Sequence, residues 1–263
     1  MRAGKLSRWF FVVAALLITS FSLAQQVIAE GVYGAPSTNG EQNGAFRWTM
    51  LESANGDLTI RVRPAAARLG TVSGSVEYRI SKDWEWRAFA LRAVQPDAVK
   101  TTMSFTCEQH RSLECVAKIP GDVDWKGAIE AVPPYIILCC EEASGDIVWN
   151  TAIALKHAQH LVGSVTEVSV IGMHDENDRS EQTKLAVLET DEFTFVGTRQ
   201  LAFALGVIQA DVFSSKDMTL WLAPSGIILA MSESPEKPPS VELLTLDKGR
   251  ERLLPSLKPP APH

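Results

Sequence analysis

His157 and His160 stand three residues apart in KHAQH. On a helix they would share one face and could bind a metal ion. Structural or catalytic zinc needs a third protein ligand, and no Cys or carboxylate sits at a matching local offset, so the sequence favours two polar surface histidines. HDENDRSE, residues 174–181, gathers His174, Asp175, Glu176, Asp178 and Glu181. Calcium takes such oxygens, but the alternate-position ligands and the Gly of a calcium loop are missing, which predicts a solvated loop tip. GTVSGS (70–75) lacks the G-x-S-x-G spacing of a serine-hydrolase nucleophile. There is no P-loop and no G-x-G-x-x-G. Paired carboxylates for glycoside hydrolysis are a matter of space rather than of spacing, so that chemistry leaves no local mark. No cofactor, no metal and no catalytic residue is expected.

Cys107, Cys115, Cys139 and Cys140 are the four cysteines. An even count suits disulfides in an oxidising compartment, and the redox spacing C-x-x-C is absent. Cys107 and Cys115 flank EQHRSLE, a polar hairpin tip that suggests cross-strand neighbours. Pairing them leaves the adjacent Cys139 and Cys140, whose side chains on a strand point to opposite faces. A bridge from the first pair to one of the adjacent two therefore competes, and all three pairings stay open.

The elements that position these residues begin after an N-terminal address. Arg2, Lys5 and Arg8 precede the apolar run Trp9–Leu23, followed by small residues at a cleavable spacing. Residues 1–24 read as a secretory signal, with a run shorter than the roughly 20 residues of a spanning helix. The expected location is the periplasm or outside the cell, with no integral membrane segment after cleavage. Residues 1–24 hold three of the 25 cations and none of the 31 acids, so net charge goes from −6 to −9 without them. On that total, nucleic acid and an anionic membrane surface are unexpected partners.

Residues 25–44 include the aperiodic GVYGAPSTNGEQNG and read as a flexible segment. Residues 45–249 read as one β-rich domain, and residues 250–263 as a Pro-rich extended tail. Period-2 alternation marks DLTIRVR (57–63), SVEYRI (75–80) and TMSFTC (102–107) as strands with one wet face. YIILCC (135–140), DIVWNTAIAL (146–155) and WEWRAFALRAV (84–94) are apolar on nearly both faces, as in strands buried on both sides or bordering a cavity. Helix character is expected only within TAIALKHAQHLVG (151–163); GTRQLAFALGVIQADVF (197–213) alternates and reads mostly as strand.

DMTLWLAPSGIILAMSE (217–233) is a hairpin, with Pro224 and Gly226 placed as a type I turn prefers. Neither face is polar: Trp221 lies on one side and Leu220 and Leu222 on the other, and the return strand is apolar throughout. Something must cover each side. A helix, a second sheet, or curling of the sheet around an apolar cavity would do it. The expected fold is mainly β: an antiparallel, strongly curved sheet or half-barrel or sandwich, with one or two short helices. If the concave side holds a ligand, its wall is drawn from Trp84, Trp86, Trp149, Trp221, Leu222, Ile228 and Met231.

Phe195, Gly197 and Thr198, then Trp221, Leu222 and Gly226, then Glu242 and Leu243, trace a strand, a W-L-x-x-x-G hairpin and a final strand ending in E-L. This C-terminal pattern resembles that of uncharacterised bacterial periplasmic proteins. The hairpin is also similar to that of lipoprotein-carrier-type proteins, whose sheet curls around a hydrophobic cavity. The resemblance implies a curved-sheet envelope protein and carries no assigned activity. The expected function is thus non-enzymatic: an exported envelope protein holding an apolar ligand, such as a lipid, or a partner's hydrophobic segment. A secreted hydrolase of cell-wall or carbohydrate material and a structural subunit of an envelope complex are the alternatives.

Overall fold

The computed structural model describes residues 25–35, 46–64, 73–94, 103–118, 124–138, 144–175, 183–234 and 237–255. The signal expected at 1–24, Cys139, Cys140, most of HDENDRSE and the Pro-rich end of the tail lie outside the described residues.

Alternation builds the first wall. β2 (Phe46–Glu52), β3 (Leu58–Pro64), β4 (Ser73–Ile80), β5 (Trp86–Val94), β6 (Met103–Gln109), β7 (Leu113–Lys118) and β8 (Trp125–Ile129) pair as an antiparallel meander. The register sets Trp48 beside Val62, Val62 beside Val76, Val76 beside Leu91, Leu91 beside Phe105 and Phe105 beside Ala117. All six are buried on one face. The residues between them, such as Arg61, Glu77 and Thr106, face outward, which is the period of two at work. Cys107 faces Cys115 across β6 and β7, and the two form a disulfide with Cα atoms 4.1 Å apart.

β1 (Gln26–Gly34) corrects the reading of 25–44 as flexible. It pairs with β2 on one side and with β15 (Val241–Lys248) on the other, in the middle of the sheet. Its glycine is a fitted residue: a Cβ on Gly31 would run into the Thr245 carbonyl and stand 3.1 Å from the Trp48 ring. A close approach of strand and indole therefore selects the residue that made the segment look loose.

The remaining strands are β9 (Tyr135–Leu138), β10 (Val165–Asp175), β11 (Thr183–Phe203), β12 (Gly206–Ser214), β13 (Thr219–Leu222) and β14 (Ile228–Ser232). All 15 strands form one sheet in the order β8-β7-β6-β5-β4-β3-β2-β1-β15-β14-β13-β12-β11-β10-β9. Among the described residues only β9 and β10 pair in parallel. The sheet curls so that its edges overlap. Gly127 of β8 faces Leu185 of β11 on one side of the overlap. Tyr135 of β9 lies inside, its ring 5.2 Å from that of Trp86 and its hydroxyl donating to Gln109 at 2.8 Å. The result is a mainly β, strongly curved and unclosed sheet.

Among the described residues, two helices complete the structure. α1 (Ser144–Leu155) replaces the strand expected at 146–155. A run that is apolar on both strand faces is also apolar all round a helix, and periodicity does not separate the two. The helix stops at Leu155, so the part of TAIALKHAQHLVG that follows is turn and loop. α2 (Arg250–Leu253) corrects the start of the expected tail: Leu253 and Leu254 are buried, and Arg252 grips Glu52 at 2.8 Å.

Both faces of the 217–233 hairpin are covered by the chain itself. Leu220, Leu222 and Met231 share the concave face with Leu243 and Tyr33 through the β12–β15 and β1 register. Trp221, Ala230 and Glu242 share the convex face. Over that convex row folds the end of the β11–β12 hairpin. Ala204 at its tip donates its N–H to the Glu242 carboxylate, and Arg250 donates to the Leu205 carbonyl at 3.3 Å. Leu201, Phe203 and Leu205 are partly buried against the core.

Candidate functional site

The concave face is filled from within. α1 lies against β3, β9 and β14. Its Trp149 is fully buried, 5.0 Å from the ring of Trp48 and 6.2 Å edge-on to that of Tyr33. Asn150 donates to the Ile137 carbonyl at 3.0 Å, capping a group on the edge strand β9. Burial raises Tyr33 far above the ordinary phenol range, and Tyr135 is raised for the same reason. The Tyr33 hydroxyl donates to the Ile228 carbonyl at 2.6 Å.

This interior is not fully satisfied. The indole Nε1 groups of Trp48, Trp86 and Trp149 are buried without an acceptor among the described residues, as is Asn150 Oδ1 without a donor. Each such group costs about 1–3 kcal/mol of lost solvation.

Three related turns lie at a rim of the roll, and two of them hold the C-terminal end of α1. Ser53–Asp57, Ser81–Glu85 and Ala223–Ile227 share one pattern: the fourth residue's N–H bonds the first carbonyl, and the first N–H bonds the fifth carbonyl. The fourth position takes a left-handed φ in each: 86° at Gly56, 93° at Gly226, and 65° at Trp84. Glycine adopts that conformation freely, whereas a bulky residue is strained there. Lys156, just after the helix, spans two of the turns. Its Nζ donates to the Ser225 carbonyl at 2.7 Å and lies 5.3 Å from the centre of the Trp84 ring. A Cβ at Gly226 would stand 2.5 Å from Lys156 Cδ. His157 Nε2 is 2.6 Å from the Asp83 carbonyl. Partial burial lowers the Lys156 pKa below the ordinary lysine value.

The two histidines thus part company. His157 meets Asp83, whereas His160 Nδ1 meets Asp211 Oδ2 at 3.1 Å, where Thr198 also donates to Oδ1 at 2.6 Å. They sit beyond the helix end, on separate partners, so they share no helix face for a metal. Among the described residues no group of three or more His, Cys, Asp or Glu could hold a metal ion. A groove of about 390 Å³ opens at the turn rim, with Asp57, Arg79, Glu108 and His110 in its lining. Its carboxylates are engaged: Glu108 by Arg79 at 3.2 Å and Asp57 by Asn55 at 2.8 Å.

The seven residues proposed as one wall are divided. Trp86, Leu222, Ile228 and Met231 are buried on the concave side, and Trp149 faces them from the helix. Trp84 is half-buried in its turn. Trp221 is buried on the convex side and belongs to no concave wall. Sequence reasoning read the turn at Pro224 and Gly226 but missed Lys156 and the Ser81–Glu85 turn; the S-x-x-W-E stretch repeating the frame of S-x-x-G-D was the available signal.

No protein-family model and no curated protein matches the chain. Among solved structures, the chain is similar to a beta-barrel-like protein of a domain of unknown function (DUF1849) from Brucella abortus, at 9% identity and a TM-score of 0.45, covering 85% of this chain and 99% of that one.

Proposed function

We propose that this is an exported envelope protein that holds an apolar guest, a lipid or a hydrophobic protein segment, against its concave face, and that α1 occupies that place when the guest is absent. The observation that carries the reading is α1 itself: every side chain from Val148 to Leu155 is buried, along a ring-lined concavity whose indole donors have no acceptor among the described residues. Export rests on the N-terminal basic and apolar segment and on the disulfide, a bond of oxidising compartments. Among the described residues no helix is long and apolar enough to cross a membrane.

Guest binding then competes with the Lys156 contacts. Removing them by Lys156→Ala costs α1 about 1–2 kcal/mol of docking. The guest-competent fraction rises accordingly, and apparent affinity tightens roughly tenfold. The test is titration with a fluorescent fatty acid, together with mass spectrometry of extracts for copurified lipid. Saturable binding, tighter in Lys156→Ala, supports the reading. No lipid in the extract and no saturable binding by either protein defeats it.

A further inference from the structure

The chain's net charge of −6 hides an uneven distribution. On the convex face of the first wall one register row crosses from β2 to β7. Arg47 lies opposite Arg63, Ser75 opposite Arg92, Arg92 opposite Ser104, and Ser104 opposite Lys118. The row carries four cations, two serines and no acid. Each cation lies within three residues of the same end of its strand: Arg47 near the start of β2, Arg63 and Arg92 near the ends of β3 and β5, and Lys118 at the end of β7. Arg63, Arg92 and Lys118 are exposed and have no ion-pair partner among the described residues. Arg47 has only Asp247, at 3.4 Å and with both side chains largely in water.

The opposite end of the same wall is different. There Arg79 pairs with Glu108, Lys82 with Asp83 and Arg87 with Glu85. Among the described residues, cations are neutralised at the turn end and left unbalanced at the other. Strands about 4.8 Å apart place the row along roughly 24 Å of the rim. Side chains at one level around the end of a curved wall form a band of one sign along that rim. A plane of negative charge is what they complement, because unpaired surface cations gain from anionic headgroups without losing a protein partner.

We propose that this row docks the protein end-on to an anionic lipid surface. The proposal is independent of the apolar guest, since it concerns the convex face and needs no movement of α1. The experiment is co-sedimentation of the purified protein with vesicles of phosphatidylcholine alone or mixed with phosphatidylglycerol. The wild type is expected to bind only the mixed vesicles, and to be released at about 1 M salt, where the screening length is about 3 Å. Replacing Arg63, Arg92 and Lys118 together by Ser is expected to weaken binding on the order of a hundredfold, at about fivefold per cation. Lys82→Ser with Arg87→Ser, at the other end, leaves it unchanged. All five side chains are exposed, and far-UV circular dichroism checks that the variants are folded. No binding to mixed vesicles overturns the proposal. So does equal binding by the triple variant, and so does capture of a soluble polyanion such as an oligonucleotide without capture of vesicles.

Discussion

The wall β2–β7 and the wall β12–β15 bury their concave faces in the same way and treat their convex faces oppositely. On the first, convex positions carry ion pairs in water, such as Arg61 with Glu77 at 2.9 Å, both side chains more than a third exposed. On the second, the convex row of Val212, Trp221, Ala230 and Glu242 is shut away beneath the β11–β12 tip. Such exposed pairs are worth about 0–1 kcal/mol each, so the first wall is held by its inner rings. The second is held from both sides. Direction relative to the sheet therefore says little about burial until the covering layer is known.

The contrast is sharpest with one carboxylate placed on each wall. Ala230→Asp buries an unpaired charge and is expected to cost about 3–5 kcal/mol, whereas Thr106→Asp, on the exposed convex face, changes stability by no more than about 0.5 kcal/mol. Urea midpoints measure both. Equal midpoints would mean that the β11–β12 tip does not cover the second wall.

Alkali probes what the two walls share, the filled concavity. Tyr33 and Tyr135 have folded pKa values raised above the ordinary phenol value near 10. Above that pH the unfolded chain releases protons that the folded chain keeps. The unfolded state then binds fewer protons, and stability falls as pH rises. The slope is about 1.4 kcal/mol per pH unit for each tyrosine, so stability is full below about pH 10 and is lost above it. Phenolate absorbance appearing near pH 10 with the urea midpoint unchanged would contradict the burial of both rings.

The cover of the second wall hangs on few contacts. Glu242→Ala removes the acceptor for the Ala204 N–H and is expected to cost about 1–3 kcal/mol. Its distinguishing readout is limited proteolysis, with cleavage near 204–205 speeding up while the β2–β7 wall stays resistant. Unchanged cleavage at the tip would place the cover's stability elsewhere.

What was legible in the sequence divides along the same line. DLTIRVR and SVEYRI declared their strands because water on one side enforces alternation. The mainly β, curved fold followed from them, and the need for a covering layer over the 217–233 hairpin followed from that hairpin's own two apolar faces. The identity of that layer did not. DIVWNTAIAL has no polar face, so a helix sheathed in rings and a strand buried on both sides look alike. GVYG looked loose because the neighbours that demand a glycine, the Thr245 carbonyl and the Trp48 ring, are 214 and 17 residues along the chain from Gly31. The split of Trp221 from Leu222 was already implied by alternation. Which side was concave was not.

Among the three related turns, the smallest effect carries the most information. Gly56→Ala forces a Cβ into a left-handed φ of 86° and is expected to cost about 1 kcal/mol. Trp84→Gly does the reverse: it relieves about 1–3 kcal/mol of backbone strain and gives up a half-buried indole and its contact with Lys156, worth about the same. Net stability should therefore move by less than about 1 kcal/mol in thermal denaturation, while α1 loses one of its two holds at the rim and guest binding tightens as it does in Lys156→Ala. A strained residue persists where its side chain compensates for its backbone, and here the compensation is the grip on the end of α1. If Trp84→Gly instead stabilised the protein by the whole of the strain and left guest affinity untouched, the indole would be holding nothing, and the rim contacts would be ordinary surface packing rather than a latch.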